Sequence, residues 1–224
     1  MRIGVLGTGM VGQTLATKLV AVGHDVLMGS RDAANPKAAE WATSTKGHGR
    51  AGTFAEAAEH AEVVVNATAG QASLAALELA GADNLAGKVL IDVANPLDFS
   101  HGMPPSMTVV NTDSLGEQIQ RAFPAARVVK ALNTVTASVM VRPGDLASPT
   151  NLFVAGNHSD AKATTIDLLG SLGWEADRIV DLGDITAARG TESYLLLWVQ
   201  VMQALGTPAF NIAIVGEDSE GPTH

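Results

Sequence analysis

Residues 1–12 read MRIGVLGTGMVG, and this opening decides the fold. Arg2–Leu6 is a short strand-forming run that enters a turn spelled Gly7-Thr8-Gly9-Met10-Val11-Gly12, the pattern G-x-G-x-x-G. Val11, Leu15 and Leu19 then recur every fourth residue, which puts one apolar stripe on a helix. Gly23 ends that helix and His24–Met28 supplies a second strand, so residues 2–28 form a complete strand–helix–strand unit. In such a unit Gly7 permits the tight turn, Gly9 lets backbone approach a pyrophosphate, and Gly12 lets helix and strand pack closely. Amides at the helix start, aided by the helix dipole, then receive phosphate, and Thr8 adds a hydroxyl donor. Glycine-rich turns of this kind also occur for packing alone; the spacing of the whole unit favours a bound dinucleotide.

Twenty residues after Gly9, where NAD-binding chains usually carry an acid for the ribose 2′-hydroxyl, stands Gly29, followed by Ser30 and Arg31. A carboxylate there would repel a 2′-phosphate. A Gly-Ser-Arg turn instead offers a hydroxyl, free amides and a guanidinium. Lys37, at the start of the following helix, is a second candidate cation. The reading therefore predicts NADP(H) rather than NAD(H). The plainer alternative is a turn capped by Ser30, with Arg31 solvated or paired to Asp32.

Strand and helix patterns alternate through most of the remaining chain. Helix Pro36–Trp41 is followed by a glycine-rich loop around Gly47–Gly52, a short helix Phe54–His60 and the apolar strand Glu62–Asn66. Then come helix Gln71–Ala80, strand Lys88–Val93, helix Ser114–Phe123 and strand Arg127–Ala131. The last third reads as strand Leu152–Ala155, helix Ala161–Leu172, strand Arg178–Val180 and a helix from about Ala187 to Leu205. Repeated units with continuous apolar strands predict a doubly wound, mostly parallel α/β sheet of the Rossmann type. The expected organisation is a dinucleotide-binding domain over 1–135, an extension over 136–215 that completes the sheet and covers the cleft, and a disordered tail over 216–224.

The 224 residues are 46% hydrophobic and 17% charged, enough apolar content for a large core. A net charge of −9 argues against nucleic acid or an anionic membrane as partner. The absence of cysteine removes disulfides, thiolate nucleophiles and cysteine-ligated metals. The six histidines are scattered without ligand spacing, so no metal is expected. The most apolar stretch, Tyr194–Leu205, contains two glutamines and falls short of the roughly 20 residues that span a bilayer. It reads as core or as a dimer contact, and a homodimer through this helix is expected. With no secretory pattern at the start, the expected location is the cytoplasm.

Ligands on such sheets lie beyond the carboxyl ends of the strands. Those ends read Asn66-Ala67-Thr68-Ala69, Asn95-Pro96 and Leu132-Asn133-Thr134, all small and neutral. The composition fits a reaction whose chemistry belongs to the cofactors while the protein aligns two rings. Asn133 and Thr134 are the candidate catalytic residues, able to orient a carboxamide or polarise a ring carbonyl. Asn95 and Asn133 serve equally well to satisfy loop backbone groups. Asp92 ends an apolar strand and reads as a carboxylate satisfied by loop amides, with a buried carboxylate of perturbed pKa as the alternative. Arg142 and Arg189 read as solvated, with an acidic second ligand as the alternative.

The segments MRIGVLGTGMVG, GHDVLMGSR, DVANPL and RVVKALNTV together resemble the NADPH-dependent coenzyme F420 reductases. A similar pattern occurs in the cytoplasmic domain of the STEAP metalloreductases. The resemblance implies reversible hydride transfer between NADPH and a deazaflavin lying in a cleft under the C-terminal region, with a small-molecule redox partner. Carried over by motif, Thr8, Gly9, Met10, Val11, Ser30, Arg31 and Lys37 would hold NADP. Ala67, Thr68, Asn95 and Ala137 would flank its nicotinamide half, and Phe210 would lie near the second ring. Asn133 stands where some deazaflavin enzymes carry His and where the STEAP-like pattern carries Asn, which keeps a flavin as the alternative second ligand. STEAP-like proteins also carry a membrane domain, and transmembrane electron transfer is not expected of this chain. The other readings are reduction of a quinone or a small carbonyl or imine compound, and a non-catalytic NADPH sensor.

Overall fold

A computed structural model describes residues 1–216, so the tail expected to be disordered lies, apart from Gly216, outside the described residues. The chain runs β1 (Arg2–Leu6), α1 (Met10–Ala21), β2 (Asp25–Ser30), α2 (Pro36–Ser44), β3 (Gly49–Thr53), α3 (Phe54–His60), β4 (Val63–Asn66) and α4 (Gly70–Ala80). It continues through α5 (Ala82–Leu85), β5 (Val89–Asp92), β6 (Leu97–Asp98), β7 (Ser106–Met107), α6 (Leu115–Ala122), β8 (Arg127–Ala131) and α7 (Ala137–Val141). It closes with β9 (Leu152–Gly156), α8 (Ser159–Leu172), β10 (Ile179–Asp181) and α9 (Ala188–Leu205).

Eight strands form one sheet in the order β10-β9-β8-β5-β4-β1-β2-β3. Every neighbouring pair is parallel except β8 and β9, where the direction reverses. β4 and β5 are buried on both faces, as a covered parallel sheet demands. One apolar cluster packs α1, α2, α7 and α8 on one face through Leu15, Trp41, Val139 and Leu168. The other packs α3, α4 and α6 through Phe54, Leu77 and Ile119. The result is the doubly wound α/β architecture expected from the sequence.

The region around Gly47–Gly52 departs from expectation: it is not a loop but ends in the edge strand β3, paired in parallel with β2. Glycine is a poor strand former, so the local pattern hides it. The reason for glycine is steric. A Cβ on Gly49 would stand 2.5 Å from the Trp41 ring, which packs over the strand. α3 follows at once through a capping box, with Thr53 Oγ1 accepting from the Glu56 amide and Glu56 accepting from the Thr53 amide. The short helices α5 and α7 and the β6–β7 pair lie in stretches that show no periodic pattern.

Candidate functional site

The first turn forms as its spacing requires. Gly7 adopts φ +119°, and a Cβ there would meet the Ala67 carbonyl oxygen at 2.6 Å. A Cβ on Gly12 would lie 2.1 Å from the Gly7 carbonyl, whereas Gly9 faces open space. Two positions are thus closed by packing and the middle one is left accessible.

Two cavities open at the carboxyl ends of the strands and meet at Ala67 and Thr68, which line both. The first, about 350 Å³, is bordered by Gly7, Thr8, Gly9, Ser30, Arg31 and Asn35. The Ser30 hydroxyl is buried and donates to the Asp32 carbonyl at 2.5 Å. The Asp32 carboxylate accepts from the Ala34 amide at 2.9 Å, and Arg31 makes no ion pair among the described residues. No acid fits at position 29: a Cβ on Gly29 would stand 2.9 Å from that of Ala57. Lys37 is exposed on the first turn of α2 and is not among the residues lining this cavity; Asn35, which caps α2 by accepting from Ala38, is.

The second cavity, about 550 Å³, has Met10, Val11, Asn95, Asn133 and Ala137 in its walls and Leu195 and Trp198 of α9 above it. Leu132, directly after β8, lies in the left-handed region, φ +63°, a strained conformation for a branched side chain, and the turn delivers Asn133 to the cleft. Asn133 Nδ2 donates to Asn95 Oδ1 at 3.0 Å, and Asn95 Nδ2 donates to the Asn133 carbonyl at 2.8 Å. Thr134 is buried and absent from the lining, and its hydroxyl has no hydrogen-bond partner among the described residues. The two candidate catalytic residues are therefore separated by the structure. Phe210 is not itself in the lining; it stacks on Trp198 with ring centroids 5.4 Å apart and planes 21° apart. Trp198 carries no signal in the sequence beyond its place on an apolar helix.

Asp98 is the one titratable side chain among the described residues lining this cleft. The Ser100 amide and hydroxyl donate to it at 2.8 and 3.0 Å and hold its carboxyl below the usual range. It is an ionised acceptor at the rim, so the cleft contains no group suited to general acid catalysis near neutral pH. Among the described residues no cluster of histidine and carboxylate groups could hold a metal, and no helix is long and apolar enough to cross a membrane.

Beneath the cleft lies a polar network that sequence reading missed. Thr68 donates to Asn66 Oδ1 at 2.7 Å, and Asn66 Nδ2 donates to Asp92 Oδ1 at 2.8 Å. Asp92 Oδ2 accepts from Lys130 Nζ at 2.7 Å, and Glu192 Oε1 stands 2.7 Å from the same nitrogen. Asp92 does accept from one loop amide, that of Ala94 at 3.2 Å, but its main partner is a buried cation. Burial opposes the Lys130 charge; the facing Asp92 and Glu192 carboxylates outweigh it and raise its pKa. Burial pushes the Glu192 carboxyl up despite Lys130. The available clue was a pair of charges inside apolar strands, since Asp92 and Lys130 are register partners across β5 and β8. Arg189 is bonded to Glu117 at 2.5 and 2.8 Å, and Arg142 pairs with Asp145 at 3.2 Å in solvent.

A doubly wound sheet with a glycine turn after its first strand and a cleft beyond its strand ends defines a Rossmann-type protein of the nucleotide-binding class. Residues 2–96 match the family model described as NADP oxidoreductase, coenzyme F420-dependent. Over 214 residues the chain is 33% identical to an F420-dependent NADP reductase of Methanothermobacter marburgensis, covering 90% of this chain and 92% of that protein. The chain belongs to the F420-dependent NADP reductase family, a family of NADP-dependent oxidoreductases. A crystal structure described as a candidate F420-dependent NADP reductase from Arthrobacter sp. FB24 superposes with a TM-score of 0.91 at 53% identity, covering 96% of this chain and 100% of that one. The metalloreductase STEAP3 of Rattus norvegicus is 31% identical over 195 residues; these cover 86% of this chain but 36% of that protein.

Proposed function

We propose that this protein transfers a hydride between NADPH and a deazaflavin of the coenzyme F420 type, reversibly, in the joined cavities. The observation that carries the reading is their meeting at Ala67 and Thr68: a phosphate-suited cavity opens into a ring-sized cleft whose one titratable side chain among the described residues is the ionised Asp98. The residues fit the cofactor. Gly9 is open to a pyrophosphate and the amides at the start of α1 point to it, while Ser30 and Arg31, which has no ion pair among the described residues, flank the place where a 2′-phosphate would sit. NADPH, when bound, supplies the hydride. Thr8, Met10 and Val11 hold the nucleotide, and Lys37 adds charge from outside the cavity. Ala67, Thr68, Asn95 and Ala137 flank the nicotinamide half, and Asn133 orients the rings. Leu195 and Trp198, backed by Phe210, form an apolar roof that excludes water. In this scheme residues 1–135 hold the nucleotide and 136–215 cover the cleft.

A flavin is the second reading for the acceptor, favoured by the Trp198–Phe210 stack, which selects flatness rather than ring identity. Exposed Leu196, Leu197 and Leu205 on α9 support a homodimer through that helix, which sedimentation would reveal as twice the chain mass. The decisive assay mixes protein, NADPH and oxidised coenzyme F420 and follows loss of the deazaflavin's visible absorbance, with FMN in parallel. Turnover with FMN alone selects the flavin. No turnover with either acceptor overturns both and favours an NADPH sensor, with a quinone or a small carbonyl or imine compound as the remaining acceptors.

A further inference from the structure

Lys130 is fully buried, and its ammonium is held by three oxygens. It donates to Asp92 at 2.7 Å and to the Ala94 carbonyl at 2.5 Å, and Glu192 Oε1 forms an ion pair with the same nitrogen at 2.7 Å. The Ala94 carbonyl precedes Asn95, whose side chain is bonded to Asn133 in the cleft wall. Glu192 lies one turn before Leu195 on α9, the helix that carries Trp198 over the same cleft. Its carboxylate also accepts from the Leu115 and Gly116 amides at 2.8 and 3.0 Å, which fastens α9 to the start of α6.

We propose that Lys130 is a positioning residue for the acceptor: braced by Asp92, it ties the floor of the cleft at Ala94 to the roof helix through Glu192 and so fixes the gap that admits a flat ring. The inference rests on the reading that such a ring enters this cleft. Stability alone is a poor reason for the cluster, because apolar residues of similar volume commonly serve a core as well as a buried ion triad does. An apolar contact cannot fix direction, whereas two hydrogen bonds and an ion pair meeting at one atom fix floor and roof together. The nucleotide cavity around Ser30 and Arg31 shares no residue with the clamp.

The test uses Asp92→Asn, Lys130→Met and Glu192→Gln combined, which removes the charges together and leaves none uncompensated. Trp41 and Trp174 are 4% exposed, so acrylamide-accessible tryptophan fluorescence reports Trp198. In the folded variant the quenchable fraction should rise, and KM for oxidised coenzyme F420 should rise on the order of tenfold. NADPH affinity, read by titrating nicotinamide fluorescence, should stay within about twofold, because Gly9, Ser30 and Arg31 are untouched and the Asp92→Asn side chain still offers Asn66, and through it Thr68, an acceptor oxygen. Unchanged quenching and KM, or equal losses for NADPH and acceptor, overturn the proposal. If the triple variant does not fold, Glu192→Gln alone is judged by the same three readouts and the same outcomes. Absence of F420 reduction by the unmodified protein overturns the proposed activity only; the Trp198 quenching then decides the role of Lys130.

Discussion

Asn95 and Asn133, 38 residues apart in the chain, exchange two hydrogen bonds across the end of the sheet and lock the β5 and β8 termini together in the cleft wall. Asn95→Ala strips Asn133 of its side-chain partner in a buried setting. Stability should drop by about 1–2 kcal/mol, within the range for an orphaned buried amide. Hydride transfer should slow on the order of 10- to 100-fold through misalignment, with NADPH affinity held. Denaturant melts and single-turnover kinetics measure the two effects separately. A variant with full turnover would show that the pair serves the loops alone.

Arg31→Ala addresses cofactor choice. NADPH binding should weaken by about 1.5–3 kcal/mol, the range for a hydrogen bond to a charged group, and NADH binding should barely change. Calorimetry with both cofactors reads the difference directly. Equal losses would mean that Arg31 does not read the 2′-phosphate.

Thr134 buries a hydroxyl without a partner among the described residues. Thr134→Val keeps the shape and removes that burden, so stability should rise by about 1 kcal/mol and Tm by roughly 2–4 °C. Turnover should be retained if the hydroxyl does not touch a ligand. A lower Tm together with lost turnover would instead give Thr134 a direct part in orienting the rings.

Acid sensitivity should trace partly to Asp113. Arg121 donates to it at 2.9 and 2.8 Å and, against partial burial, holds its carboxyl at about 2 rather than 3.8. A depressed carboxyl stabilises the fold above its unfolded pKa, and that contribution disappears as pH falls from near 3.8 through about 2. Solvent screening limits it to about 1 kcal/mol. Asp113→Asn should be less stable than the parent near neutrality and should converge with it in this acid window. Parallel acid titrations of the two proteins would refute this assignment.

The parts legible in the sequence are those encoded locally. β1, the glycine turn and α1 follow one another within 21 residues, and their spacing is their geometry. The edge strand β3 was hidden because Gly49 is dictated by Trp41 rather than by strand preference. The reversal at β9 depends on a pairing with β8 that no local pattern encodes. In the site, the turn residues Ser30 and Arg31 announce themselves by standing where an acid usually does. The Asp92–Lys130–Glu192 clamp and the Trp198 roof join positions far apart in sequence, so only the folded chain brings them into view. The strain at Leu132 is likewise invisible, since leucine carries no signal for a left-handed turn.

Both margins of the sheet are poor templates for adding another strand. β10 offers three residues and closes on Asp181, whose carboxylate is taken by Lys162, while β3 carries Arg50, bridged to Asp25. Open margins normally invite chain-to-chain polymerisation, and short or charged ones deter it. Copies of this protein therefore have little means of zipping together edge to edge, and crowding should leave the fold dispersed rather than fibrous.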